Sequence, residues 1–170
     1  MRDDWFERTL ILLCQHNDDG ALGIIINREG DVGLQEVIDK LSEDHGEFGP
    51  LLNGDQVTWW GGPVGDGAGF VLFKGQVSDD EGWNVGSIAV SPSLQRLDDL
   101  IRSNDRFELV LGYAGWGPGQ LAEEVEGGSW LFVDVEAEIV FDTPVEERYE
   151  KALAQLGLTP NTVWMQPINE

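Results

Sequence analysis

Apolar positions follow two rhythms along this chain. In "TLILLCQH" (9–16) both alternating sets are apolar: Leu10, Leu12, Cys14 and His16 on one, Ile11, Leu13 and Gln15 on the other. That pattern reads as an interior strand. "NDDG" (17–20) is a turn, and "ALGIIINR" (21–28) is a second strand that completes a hairpin. "LQEVIDKL" switches to the helical period, with apolar residues at 34, 37, 38 and 41. "VTWW" (57–60) is strand-like, "GGPVGDGAG" (61–69) reads as a long glycine loop, and "FVLFKG" (70–75) and "SIAVS" (87–91) read as strands. A helix follows over 91–103, capped by Ser91 or Ser93, with Leu94, Leu97, Leu100 and Ile101 as its buried stripe.

The C-terminal third continues with a strand, "FELVLGYAG" (107–115), and a short glycine-closed helix, "GQLAEEVEGG" (119–128). "SWLFVDV" (129–135) and "AEIVFD" (137–142) read as strands. A final helix is expected with Thr143 as cap, Pro144 in the first turn, Glu146 completing a capping box and Gly157 as its end. Val145, Tyr149, Leu153 and Leu156 form its apolar face. Strands and helices mix without a βαβ beat, and several turns are too short for a parallel crossover. The pattern predicts an α+β fold with a largely antiparallel or mixed sheet.

Composition narrows the class. A chain of 170 residues makes one domain rather than two. No apolar run is long enough to span a membrane, and no basic-then-apolar signal segment opens the chain. The single Cys rules out an internal disulfide and fits a reducing, cytoplasmic compartment. Ten Lys plus Arg against 32 Asp plus Glu give a net charge of −22. That field repels phosphate backbones and anionic lipid. The nearest thing to a basic patch, Arg96, Arg102 and Arg106, is interrupted by Asp98, Asp99 and Asp105. Neither nucleic acid nor membrane is an expected partner.

Two motifs carry candidate chemistry. Cys14, His16 and Asn17 stand together at the hairpin, with Cys14 and His16 at the i, i+2 spacing that puts strand neighbours on one face. A thiol-based or redox site is one reading; a small core cysteine with a turn-capping histidine is the other. Zinc needs more ligands than this, and the only other His is His45, so no metal is expected. The second motif is "LGYAGWGPGQL" (111–121). A strand, a glycine loop and a helix start could hold a small anion through Gly112, Tyr113, Gly115, Trp116, Gly117 and Gln120. Its glycine spacing matches neither nucleotide fingerprint, it lacks Lys and Arg, and Glu123 and Glu124 oppose a phosphate. The competing reading is a tight structural corner, in which Val at Gly115 or Gly117 would cost a few kcal/mol through lost positive φ or close approach.

Four stretches taken together, "FERTLILLCQHNDDGALGIIINR", "WGGPVGDGAGFVLF", "LGYAGWGPGQLAEEV" and "IVFDTPVEERYEKALAQLGL", resemble the AlgH/YqgE family of bacterial proteins. The resemblance runs in order over nearly the whole chain, as a single domain over 1–170. It implies an α+β fold whose bent sheet forms a pseudo-barrel with several short helices. One branch is described as a transcriptional regulator of alginate synthesis, which here would mean action through an unidentified protein partner rather than DNA. The family brings no established catalytic residue, metal or cofactor, so a non-enzymatic role is expected and the oligomeric state stays open. This chain departs from the pattern at Gly67, Ala68 and Phe73, where relatives usually carry Asp, Arg and His. It also begins where relatives already have an apolar strand behind them. The expectation is a natural start roughly 10–20 residues upstream, enough for one further strand and its lead-in.

Overall fold

The computed structural model describes residues 8–52, 54–134 and 136–157. The hairpin forms as its pattern predicts: β1 (Ile11–Asn17) pairs antiparallel with β2 (Gly20–Ile25). β3 (Glu29–Gly33) leads into α1 (Leu34–His45), and β4 (Val57–Trp60) returns to pair with β3. β5 (Val64–Lys74), β6 (Trp83–Val85) and β7 (Ile88–Ser91) follow, then α2 (Leu94–Ser103). β8 (Glu108–Trp116) precedes α3 (Gln120–Glu126), α4 (Ala137–Phe141) and α5 (Val145–Gln155).

The main strand order is β1-β2-β8-β5-β7-β6, with β4 joining β8 in parallel through Trp59↔Val110 and Trp60↔Leu111. β4 is a wedge. β2 meets β8 only at residues 21–23; beyond that the Gly61 carbonyl accepts from the Ile25 amide, while the Gly61 amide donates to the Leu111 carbonyl. The two ends of the sheet approach where the Trp83 indole of β6 donates to Gln15 Oε1 of β1 at 3.2 Å. The result is an α+β domain with a nearly closed, mainly antiparallel barrel and five helices among the described residues.

The enclosed face collects Leu12, Ile24, Phe70, Leu72, Ile88, Val90 and Val110, with Ile139, Val140 and Phe141 of α4 packed among them. The outer face of β5, β7 and β8 is covered by α1 and α2 through Leu34, Ile38, Leu97, Leu100 and Ile101. β5 and β7 are thus buried on both sides, which is why they read as continuous apolar runs.

Several expectations need correction. The glycine stretch 61–69 is not a loop throughout. β5 starts at Val64 and arches outward, because Val64 pairs with Tyr113 and Gly69 with Leu111, leaving residues 65–68 opposite Gly112 alone. β8 continues past Gly115 to Trp116, so the real break is only residues 117–119. The described part of 129–135, residues 129–134, forms no strand, and 137–141 is helical. Ile139, Val140 and Phe141 are all buried, so no alternation is present to distinguish a strand from a buried helical turn. Ser93, not Ser91, caps α2 by accepting from the Arg96 amide at 3.2 Å, and Leu94 lies exposed outside the stripe. Thr143 does not cap α5: its hydroxyl donates to the Glu138 carbonyl of α4, Pro144 stands at the cap position, and Glu146 forms no capping box. The buried face of α5 is Arg148, Ala152 and Leu153, while Leu156 is exposed. β3 and β6 went unforeseen because "EGDVG" has little strand propensity and β6 is three residues long. The expected upstream strand lies outside the described residues.

Glycine is required where strands meet backbone to backbone. A Cβ at Gly62 (φ +150°) would fall on the Tyr113 carbonyl, and one at Gly112 (φ +84°) would press on the Gly62 carbonyl. Gly115 and Gly117 differ: neither has positive φ, and a Cβ would meet only the Tyr113 ring at 3.7 Å or Gln120 Oε1 at 3.8 Å. Gly62→Ala is therefore expected to cost about 3 kcal/mol from strain and overlap. Gly115→Ala should leave stability within about 0.5 kcal/mol. Urea denaturation of the two variants checks this, and equal losses would refute the assignment.

Candidate functional site

The hairpin trio is positioned by a β-bulge. Leu13 faces Gly23 and Gln15 faces Leu22, so Cys14 is the extra residue in β1. Gln15, opposite Leu22, falls on the same face as the Leu12–Ile24 pair, and Cys14 packs toward that enclosed face too. His16, opposite Ala21, falls on the other face, toward α3. The bulge therefore breaks the alternation on which the Cys14–His16 pairing depended, and the two side chains are turned apart. Cys14 Sγ contacts the Leu12 carbonyl at 3.6 Å, and burial pushes its thiol up to about 12. His16 and Asn17 are exposed, and Asn17 Oδ1 accepts from the Asp19 amide at 2.8 Å to close the turn.

The glycine corner is filled by its own side chains. Gln120 Oε1 accepts from the Gly117 amide at 2.9 Å, so the amide nearest an incoming anion is already engaged. Gln120 Nε2 donates to Glu124 Oε2 at 2.8 Å, and Trp130 Nε1 donates to Glu124 Oε1 at 2.9 Å. Trp116 meets Trp130 edge-on, 5.9 Å between ring centres. Tyr113 meets Phe70 edge-on at 6.1 Å, facing the enclosed core. Gly112 and Gly115 belong to β8 itself. Of the positions where this chain departs from the AlgH/YqgE pattern, Phe73 is buried under α2 with the Arg96 guanidinium 5.2 Å over its ring, and Ala68 packs at the edge of the core.

The strongest concentration of buried polar chemistry lies elsewhere. Arg148 on α5 is 3% exposed. Its guanidinium donates to the carbonyls of Ile26 and Val140, both at 2.6 Å, and of Thr143 at 3.0 Å. It also lies 4.3 Å above the Trp59 ring. Trp59 Nε1 in turn donates to Glu108 Oε2 at 2.6 Å. Burial raises the Glu108 carboxyl above its ordinary range, opposed by the indole bond and the positive charges of Arg148 and Arg106. Sequence patterning did not single out Arg148, which stands between the expected apolar positions Val145 and Tyr149 of α5.

Glu108 also opens onto a recess of about 460 Å³ between Leu51, Leu52 and Gln56, the end of α2 and residues 104–107. Glu108 Oε1 lies 3.9 Å from Arg106 Nη2, too far for a hydrogen bond. Leu51, Leu100, Ile101 and Phe107 supply the apolar wall, and exposed Leu52 stands at the mouth. No group of three or more His, Cys, Asp or Glu side chains is arranged to hold a metal among the described residues.

The cysteine environment makes a direct prediction. With its pKa raised to about 12, Cys14 stays a protonated thiol across the neutral range. A thiol reagent should label it slowly in the native protein near pH 7 and rapidly in denaturant, with the native rate still rising at about pH 10. Rapid native labelling near pH 7 would contradict this environment.

A family model described as AlgH-like matches residues 1–161. A UPF0301 protein of Ralstonia nicotianae is 40% identical over 163 residues, covering 94% of this chain and 84% of that protein. Another from Photobacterium profundum is 32% identical over 166 residues, covering 94% and 88%. The solution structure of the AlgH protein from Pseudomonas aeruginosa matches with a TM-score of 0.74 at 34% identity, covering 93% of this chain and 84% of that one. A protein from Corynebacterium diphtheriae matches at 19% identity and a TM-score of 0.66 over 98% and 86%, which bears on the fold alone. The nearly closed barrel, the glycine-tight junction of β4, β5 and β8, and this run of relatives agree: the chain belongs to the AlgH-like family.

Proposed function

We propose that this protein is a cytoplasmic regulator that works through contact with a basic surface on another protein, without catalysing a reaction and without touching DNA. The observation that carries the reading is how its few cations are used. Arg8, Lys74, Arg96, Arg102, Arg106 and Lys151 each lie within 4 Å of a carboxylate of the same chain. Arg148 is buried, and Arg28 is engaged by Thr9 and the Trp60 ring. The chain carries 32 acidic against 10 basic residues, and no basic patch stands among the described residues to receive a phosphate backbone. Such a field attracts Lys- and Arg-rich surfaces and accelerates their encounter. The single Cys, held as a thiol, suits a reducing compartment.

The half-buried Cys14, its thiol pushed up by burial and turned away from His16, and the Gly117 amide already taken by Gln120 support this reading over a thiol enzyme or an anion binder. Duplex DNA should show no binding at about 150 mM salt with protein up to about 10 μM, where non-specific contacts are already weak. In cells, zero-length carboxyl-to-amine coupling should join this chain through its Asp and Glu to Lys of a partner, in a complex released as salt rises. Submicromolar DNA binding at that salt, or a partner held equally well at high salt, would contradict the proposal.

A further inference from the structure

The recess at Glu108 carries chemistry beyond the regulatory contact. Glu108 is 8% exposed and accepts from the Trp59 indole through Oε2. Glu108 lines the recess, its Oε1 3.9 Å from the Arg106 guanidinium and its carboxylate also met by the Gln56 side chain, which lines the recess too. A negative and a positive group thus stand side by side as a loose ion pair, too long for a hydrogen bond, against an apolar wall of Leu51, Leu100, Ile101 and Phe107. Pockets of this kind use a few placed polar groups to orient a ligand and apolar surface to hold its body.

We propose that the recess binds a free α-amino acid with an apolar side chain, its ammonium on Glu108, its carboxylate on Arg106 and its side chain against the apolar wall. A zwitterion carries both charges on one carbon, matching two opposite protein charges that are neighbours. An amine alone would meet the repulsion of Arg106. A carboxylate alone would meet Glu108, Asp105 on the rim and the −22 field of the whole chain. The guanidinium is free to turn toward a ligand because its side chain is 62% exposed. An arriving ammonium would also favour the ionised form of Glu108 that burial disfavours. The volume of about 460 Å³ lies in the range that takes a ligand of this size.

The test is calorimetric titration of the whole chain with L-leucine, L-phenylalanine, 3-methylbutylamine (leucine without its carboxylate) and 4-methylpentanoate (leucine without its ammonium). Leucine or phenylalanine should bind with at least about tenfold higher affinity than both analogues, a gap of about 1.4 kcal/mol. Arg106→Ala, at an exposed position, should abolish that advantage over the amine while leaving the melting temperature unchanged. Glu108→Gln should abolish the advantage over the carboxylate, with folding verified by the same melt. An analogue that binds as tightly as leucine, an Arg106→Ala variant of unchanged leucine affinity, or no binding by either amino acid up to about 10 mM would overturn the proposal.

Discussion

One guanidinium ties helices α4 and α5 of this protein to its barrel. Arg148 sits on α5, yet its three hydrogen bonds go to residues from three places: the end of β2, α4 and the α4–α5 turn. Burying such a charge costs several kcal/mol, and it is tolerable only when every donor is used and a counter-charge is at hand. The counter-charge arrives indirectly. Glu108 accepts from the Trp59 indole, which draws electron density toward the ring face over which Arg148 lies. Strand β4, strand β8 and helix α5 therefore meet in one chain of contacts, Glu108–Trp59–Arg148.

That chain needs β4 to lie tightly against β8. Trp59 reaches both partners because β4 is wedged beside β8, and the wedge closes only where Gly61, Gly62 and Gly112 let backbones touch. In this chain Gly61, Gly62 and Gly112 are thus required by the distance between main chains. The same junction fixes where β5 must arch outward, opposite Gly112, and so sets the shape of that edge of the barrel. At the far side of Glu108 the network ends in the recess, where the buried carboxylate meets Gln56 and a loosely paired, exposed arginine. Structural demand and binding chemistry share one residue there.

Period and punctuation revealed most of the scaffold. The Leu12–Ile25 hairpin, the amphipathic spacing of α1, the Ser93 cap and the glycine end at Gly157 all follow local rules that a sequence states openly. The misreadings share a cause: tertiary contact overrode local preference. "AEIVFD" is β-rich in composition, but Ile139, Val140 and Phe141 are buried together beneath α5, where one helical turn presents all three. Cys14 and His16 alternate correctly in sequence, and a single inserted residue in the β1–β2 register undoes it. Glu108, Trp59 and Arg148 are far apart in sequence, and each alone looks ordinary. Arg148 lies just off the apolar face of Val145, Tyr149, Leu153 and Leu156 expected for α5, so the helical period alone did not mark it as a charge held in the core.

The account stands on Arg148 more than on any other side chain, so its removal is the sharpest test. Replacing it with Met keeps much of the side-chain volume but takes the guanidinium donors from three carbonyls and removes one of the two positive charges, with Arg106, that act on Glu108. Equilibrium urea unfolding of Arg148→Met against the parent chain at pH 7 should show a loss of about 3–5 kcal/mol, the usual cost of breaking a buried ionic network on one side. A loss below about 1 kcal/mol, within the range of an ordinary surface substitution, would show that the barrel and the C-terminal helices are held together by something else.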